Sequence, residues 1–185
     1  GGKKILGFGV APESIGLGST FRYKDFNASI LVEGKMGGSF YSGTNNWYKV
    51  YGLHKDTVPA GGREAGFTPD GVMEDGTVIT TSIPHSKIED YWAQTLNIGE
   101  ENVGSADYMR LRQLSIGYNV PSSMLEGSFI SNATVSLIGR NLLLLSNSSD
   151  NVDPESSYAA GNAVGLERAG LPVPRTIGLN INLKF

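Results

Sequence analysis

The side chains best suited to chemistry in this chain are two histidines and a small acidic cluster. His54 and His85 lie far apart in an irregular region, and neither belongs to a HExxH or comparable metal-binding spacing. Asp150, Asp153 and Glu155 offer the oxygen ligands that Ca²⁺ prefers, but they do not follow the EF-hand pattern. Asp153 also precedes a proline, which is equally good turn chemistry. We predict no enzyme, no cofactor and no established metal site, and calcium at the acidic cluster stays open.

The composition narrows the class of protein. The chain has 185 residues, 25 glycines, no cysteine and a formal net charge of −3. Glycines among short apolar runs indicate β-structure with many turns. The charge leaves no basic stripe, so we exclude nucleic acid as a partner. No apolar run reaches the roughly 18 residues of a membrane-spanning helix, but a spanning strand needs only about 9–11 residues with alternating apolar side chains.

Alternation of apolar and polar residues is the dominant pattern and predicts about five strands. These strands are 15–24, 26–36, 108–120, 133–145 and 171–185. In the last one, apolar residues occupy every odd position from Ile177 to Phe185. Two long stretches, 37–105 and 146–170, have little periodicity, although Lys87 to Leu96 has helical spacing. Residues 1–14 are interpreted as a lead-in or an expression remnant.

Short and long connections alternate along these strands, which places both long loops at one end of the sheet. Outer-membrane barrels have short periplasmic turns and long extracellular loops, whereas a soluble sandwich has no reason for this asymmetry. The predicted fold is therefore all-β, an antiparallel meander of about five strands with long extracellular loops. The apolar set would face lipid and the polar set the lumen. The lumen set is Thr20, Arg22, Asn27, Ser29, Gln113, Ser115, Asn180 and Asn182.

The aromatic residues indicate further roles. Those near strand ends fit the aromatic girdles of a membrane interface: Tyr23, Phe26, Tyr108 and Tyr118. Those in the first long loop are candidate contacts with a ligand or a partner, although loops also fold on their own aromatics: Trp47, Tyr48, Tyr91 and Trp92. Phe185 closes an alternating strand that could add to an exposed sheet edge.

Several short stretches combine into a more specific pattern. They are 21–26 with Gly37 and Gly38, 106–118, 139–142, 153–155 and 170–175. In this order and spacing they resemble the C-terminal region of SusC/RagA-type TonB-dependent outer-membrane transporters, and they extend over about residues 15–185.

This resemblance implies a large barrel of about 22 strands in the bacterial outer membrane, with an N-terminal plug. Such proteins import glycans or peptides with a SusD-like surface lipoprotein, driven through TonB. The implied partners are the remaining strands and plug, the SusD-like lipoprotein, the lipid bilayer and the barrel-assembly machinery, for which Phe185 would be the signal. Five strands alone cannot close such a barrel. The alternative is a soluble all-β module that binds a carbohydrate or a protein.

Overall fold

The computed structural model describes residues 3–156 and 161–185. Residues 1–2 of the lead-in and 157–160 of the second long loop lie outside these ranges. In chain order the elements are β1 (Glu13–Tyr23), β2 (Phe26–Met36), β3 (Ser39–Ser42), α1 (Gly43–Val50), α2 (Ile88–Gln94), β4 (Val103–Ser105), β5 (Tyr108–Asn119), β6 (Asn132–Asn147), β7 (Leu166–Glu167) and β8 (Thr176–Lys184).

The main sheet is an antiparallel meander of five strands in the order β1-β2-β5-β6-β8. This part of the predicted fold is confirmed. The last strand begins at Thr176 rather than at 171, because Pro172 and Pro174 lack the backbone N–H that a ladder needs. Within the described residues β1 and β8 each pair on one side only, so the sheet has two open edges and no closed barrel is present.

The connections at the two ends of this sheet differ as predicted. At one end β1 and β2 join through Lys24 and Asp25, with Lys24 in the left-handed region at φ 53°, and β5 joins β6 through residues 120–131. Both long connections, 37–107 and 148–175, leave from the other end. We call the described residues of these two connections the cap.

The cap has more structure than the alternation pattern predicts. A second sheet pairs β3 with β4 antiparallel and with β7 parallel. Helix α1 follows β3 at once, and the Ser42 hydroxyl caps it by accepting from the Asn45 N–H at 3.1 Å. These strands of two to four residues are too short to display a period. The predicted helix near 87–96 is confirmed as α2.

Very little of the chain forms an apolar core. Among the described residues the buried hydrophobic side chains are Phe40, Trp92, Tyr108 and Ala133. No helix in the described ranges is long and apolar enough to cross a membrane, a finding that concerns helices only. A folded chain of this length would normally bury a much larger apolar interior.

Candidate functional site: two sheet faces and a loop anchor

One face of the main sheet is apolar across all five strands. The cross-strand register gives rows such as Phe21, Ala28, Ile116, Leu137 and Leu179, one residue from each strand. Phe21 and Leu179, at the two edges, are 62% and 66% exposed. Nothing in the described residues packs over this face, so it forms a continuous uncovered apolar surface.

The opposite face is mainly polar, with Leu31, Ile138 and Leu144 as apolar exceptions. The register places every residue of the predicted lumen set on this face. In one row, for example, Asn27 pairs with Gly117, Gly117 pairs with Ser136, and Ser136 pairs with Asn180. Arg140 lies on this face too and is exposed. The separation of apolar from polar residues predicted from alternation is therefore confirmed.

The aromatic girdle prediction holds for the placement of three residues and is wrong for one. Tyr23, Phe26 and Tyr118 lie on the apolar face next to the short turn, and the Phe26 and Tyr118 rings are 4.9 Å apart. Tyr108 lies on the polar face instead, 5% exposed, and its hydroxyl donates to Glu155 Oε1 at 2.7 Å.

A β-bulge explains why Tyr108 changes face. In β5 the apolar residues occupy even positions from Leu114 onward but odd positions at Met109 and Leu111. Opposite β2, Leu31 pairs with Gln113 and Val32 with Leu111, so Arg112 is the extra residue. If Arg112 were an ordinary strand residue and not a bulge, alternation would direct Arg110 towards the apolar face. This change from even to odd apolar positions is visible in the sequence, and it could have been used to predict the site.

The bulge directs two arginines towards the second long connection. Arg110 Nη2 donates to both carboxylate oxygens of Asp153 at 2.7 and 2.8 Å, and its Nε lies 3.0 Å from Glu155 Oε2 without the direction of a hydrogen bond. Arg112 Nη1 donates to Glu155 Oε2 at 2.8 Å, and further contacts join Arg112 to Glu155 Oε1 and to Glu33. We call Arg110, Arg112, Asp153 and Glu155 the arginine latch. Paired, charge-assisted contacts of this kind are among the stronger hydrogen bonds in proteins.

Neighbouring backbone features complete the latch. Asn141 adopts a left-handed conformation at φ 52°, which asparagine tolerates well. Its side chain accepts from Arg112 Nη1 at 3.1 Å and donates to Pro174 O at 3.2 Å. Gly139 leaves room for Leu142, since a Cβ at position 139 would lie 2.7 Å from a Leu142 methyl carbon. The stretches 106–118, 139–142, 153–155 and 170–175, separate in the sequence, therefore meet at one place.

The acidic cluster serves these contacts rather than a cation. Asp153 and Glu155 pair with arginines, and Asp150 lies 2.8 Å from Lys55. Across 3–156 and 161–185 no group of three or more His, Cys, Asp or Glu side chains is arranged to hold a metal ion. Burial is the largest single influence and would raise the pKa of Asp153 and of Glu155. The hydrogen bonds from the arginines and their neighbours, together with the arginine charges, outweigh burial and hold both pKa values below the ordinary carboxyl range.

Acidification is expected to release the latch. Because both carboxyl pKa values are lower in the folded state, their stabilisation is complete above the ordinary carboxyl pKa of about 4 and is lost as the pH falls through the folded values. A nitroxide attached through Asn162→Cys, in a background without other cysteines, should become more mobile as the pH falls from about 4 through the lower folded pKa values, and should recover at pH 7. A label at Ser86→Cys, in the other connection, is the control. Constant mobility of the Asn162 label over the whole range from pH 7 down to about pH 2 would contradict the assignment.

The two long connections are also joined to each other. Glu167, 3% exposed, accepts from the Ser42 hydroxyl at 2.9 Å and from the Thr44 hydroxyl at 2.6 Å. The Tyr41 N–H donates to Gly165 O at 2.8 Å as part of the β3–β7 pairing. Strand β7 and helix α1 therefore belong to one packed unit.

A cavity of about 630 Å³ lies between α1 and the second connection. We call it the loop pocket; its lining includes Trp47, Tyr48, Asn151, Asp153, Arg168 and Pro172. Trp47 is 48% exposed and stacks on Tyr51 with ring centroids 5.6 Å apart. Tyr91 and Trp92 lie elsewhere, packed on Phe67, and Trp92 is only 8% exposed. The structure thus brings two of the four candidate loop aromatics together at a cavity and separates the other two from it.

Phe185 lies at the short-turn end of the sheet. Its ring stacks on Phe129 of the 120–131 connection with centroids 5.6 Å apart, and both rings are largely exposed. The terminal aromatic is therefore held beside the last turn, outside any buried core.

Comparison with known proteins agrees with this geometry. The chain is 26% identical over 190 residues to TonB-dependent receptor P3 of Formosa agariphila and 28% identical over 192 residues to TonB-dependent receptor P26 of the same organism. These matches cover 99% and 98% of the chain. The resemblance to TonB-dependent receptors is confirmed. Both relatives are named as receptors, in line with the prediction that the chain is not an enzyme.

Solved structures show the same fold. The chain matches the RagAB peptide importer in the closed-closed state with a TM-score of 0.66 and 20% identity over 98% of its length, and in the open-open state with a TM-score of 0.64 and 20% identity over 95%. It spans 17% and 18% of the two curated receptors and 18% and 17% of these importer chains. No protein-family model matches the chain.

Proposed function

We propose that this chain is a C-terminal wall segment of a TonB-dependent importer in the bacterial outer membrane. The observation that carries the proposal is the uncovered apolar face of the main sheet. Strands of 9 to 16 residues form it, which suits a tilted membrane-spanning strand of about 9–11 residues. The apolar side chains would contact lipid and the polar face would line the lumen.

The energetics favour lipid contact over solvation. Covering a large aliphatic or aromatic side chain is worth about 1.5–3 kcal/mol, and side chains such as Leu17, Phe21, Ile177 and Leu179 are more than half exposed. Soluble monomers rarely expose continuous apolar patches of more than a few hundred Å². A soluble binding module with this sheet would need another layer over it, and the described residues provide none.

The partners follow from the open surfaces. The free edges of β1 and β8 would pair with the remaining strands of the barrel, because unpaired backbone groups in lipid cost several kcal/mol each. The plug would occupy the lumen beside the polar face. Phe185, exposed beside the last turn, would be read by the barrel-assembly machinery. A SusD-like lipoprotein would contact the cap on the extracellular side, and the imported substrates would be glycans or peptides.

The loop pocket is the place where we propose contact with a ligand or the partner. Trp47 and Tyr48 present aromatic surface there, and the stacked Tyr51 holds the Trp47 ring in place. Tyr91 and Trp92 would support this contact only indirectly, by packing the first connection on Phe67.

Purification of the 185-residue chain with and without detergent tests the proposal. We expect aggregation in buffer, and β-rich far-UV circular dichroism only with detergent or with the complementary barrel strands, because two open edges and an apolar face are exposed. A monodisperse monomer that melts cooperatively in buffer would refute the wall proposal and favour the soluble carbohydrate- or protein-binding module.

A further inference from the structure

The segment 148–156 does not project away from the sheet but lies against its polar face. Asp153 and Glu155 contact arginines of β5, and Asp153 Oδ2 also accepts from the Val173 N–H at 3.2 Å. Both ends of the second connection are thus held at the wall, by the same carboxylate. In the proposed barrel this is the lumen side, so the connection folds inward over the mouth.

The loop pocket depends on this placement. Asp153 belongs to its lining, together with Asn151 and Arg168 from the same connection. Arg110 and Arg112 do not line the pocket, yet they hold Asp153 and Glu155. The opposite side of the pocket, Trp47 and Tyr48, stands on α1, which is joined to the same connection through Glu167.

The latch is buried enough to act as a fixed point. The Arg110 side chain is 4% exposed, and those of Asp153 and Glu155 are 10% and 16% exposed. Removing one partner of a buried ion pair leaves an uncompensated charge, which is far more damaging than losing a surface pair.

We propose that Arg110 and Arg112 are positioning residues: they anchor the second connection to the barrel wall and so set the shape of the loop pocket without lining it. The inference rests on the proposed function only in naming the polar face as the lumen side. Changes at these arginines should alter the cap while the wall strands keep their structure.

Hydrogen exchange with mass spectrometry on the intact, detergent-solubilised protein tests the anchor. In Arg110→Gln, peptides from 39–48 and 161–170 should exchange at least about 100-fold faster, because breaking a buried ion pair is strongly destabilising. The wall strands β2 and β6 should exchange as in the unaltered protein. Arg140→Gln is the matched control, since Arg140 is an exposed arginine on the same face, and it should leave both peptides unchanged.

Two further variants keep the test decisive. Asp153→Asn removes the same pair from the loop side and should reproduce the local acceleration if Arg110→Gln does not assemble. The reversed pair Arg110→Asp with Asp153→Arg should recover at least part of the protection. Unchanged exchange in both single variants, or equal acceleration in the wall strands, would overturn the anchor. Failure of the chain to enter membranes would refute the proposed wall function. It would not affect the anchor, for which the same pattern of hydrogen exchange is expected.

Discussion

Leu179→Arg is expected to prevent stable assembly of the intact protein in a membrane. Leu179 lies in the middle of β8, 66% exposed on the apolar face. An arginine near the bilayer midplane costs about 2–4 kcal/mol on the lipid face of a barrel, and the lost leucine adds about 1.5–3 kcal/mol. The measurement is the fraction of protein that migrates as a folded, heat-modifiable band in gels of outer-membrane preparations.

Asn180→Arg provides the matched control for this change. Asn180 is the next residue on the same strand and is also exposed, but it faces the polar side opposite Ser136. Adjacent strand residues point to opposite faces, so the same charge would enter an aqueous lumen and should leave the folded fraction nearly unchanged. If both variants lost the folded band equally, the assignment of the two faces would be wrong.

The main sheet could be predicted from the sequence, because the alternation of a strand depends only on neighbouring residues. Successive side chains of a strand point to opposite faces. A strand with an apolar environment on one face and a polar one on the other must therefore alternate apolar and polar residues. The final strand shows this most clearly, from Ile177 to Lys184. The unequal connections then indicated which end carries the loops.

The cap and the arginine latch could not be predicted in the same way. Strand β7 has only two residues, which is too short to show a period. Its parallel partner β3 lies more than a hundred residues earlier in the chain, so no local sequence pattern predicts the pairing. The latch needs a bulge, which places one extra residue in one strand and changes the face of everything beyond it. Tyr108 illustrates the cost of missing that change: strict alternation from Tyr118 places it on the apolar face, whereas it lies on the polar one.

The latch also gives a physical meaning to the stretches that carried the resemblance. Residues 106–118 supply the bulge with its arginines, 139–142 the left-handed asparagine and the glycine beside Leu142, and 153–155 the two carboxylates. Each stretch alone would be an unremarkable turn or strand. In the structure these stretches meet at a single site, which their separation in the sequence does not show.

Deletion of Arg112 is expected to loosen the second connection while the two faces of the wall stay as they are. Because Arg112 is the extra residue opposite β2, its removal leaves β5 in unbroken alternation, with Leu111 on the apolar face and Arg110 and Tyr108 still on the polar face. The latch would lose one of its two arginines, and breaking a buried pair costs about 3–5 kcal/mol. We expect a folded, heat-modifiable band from the intact protein carrying this deletion, and faster hydrogen exchange in its second connection.

Arg112→Gln separates the role of the bulge from the role of the charge. It keeps the bulge and removes the charge-assisted contacts of position 112 with Glu155 and Glu33. This variant should also assemble a normal wall while its second connection exchanges faster. Loss of the folded band in the deletion variant alone would mean that the wall needs the bulge itself, and not only the charge at position 112.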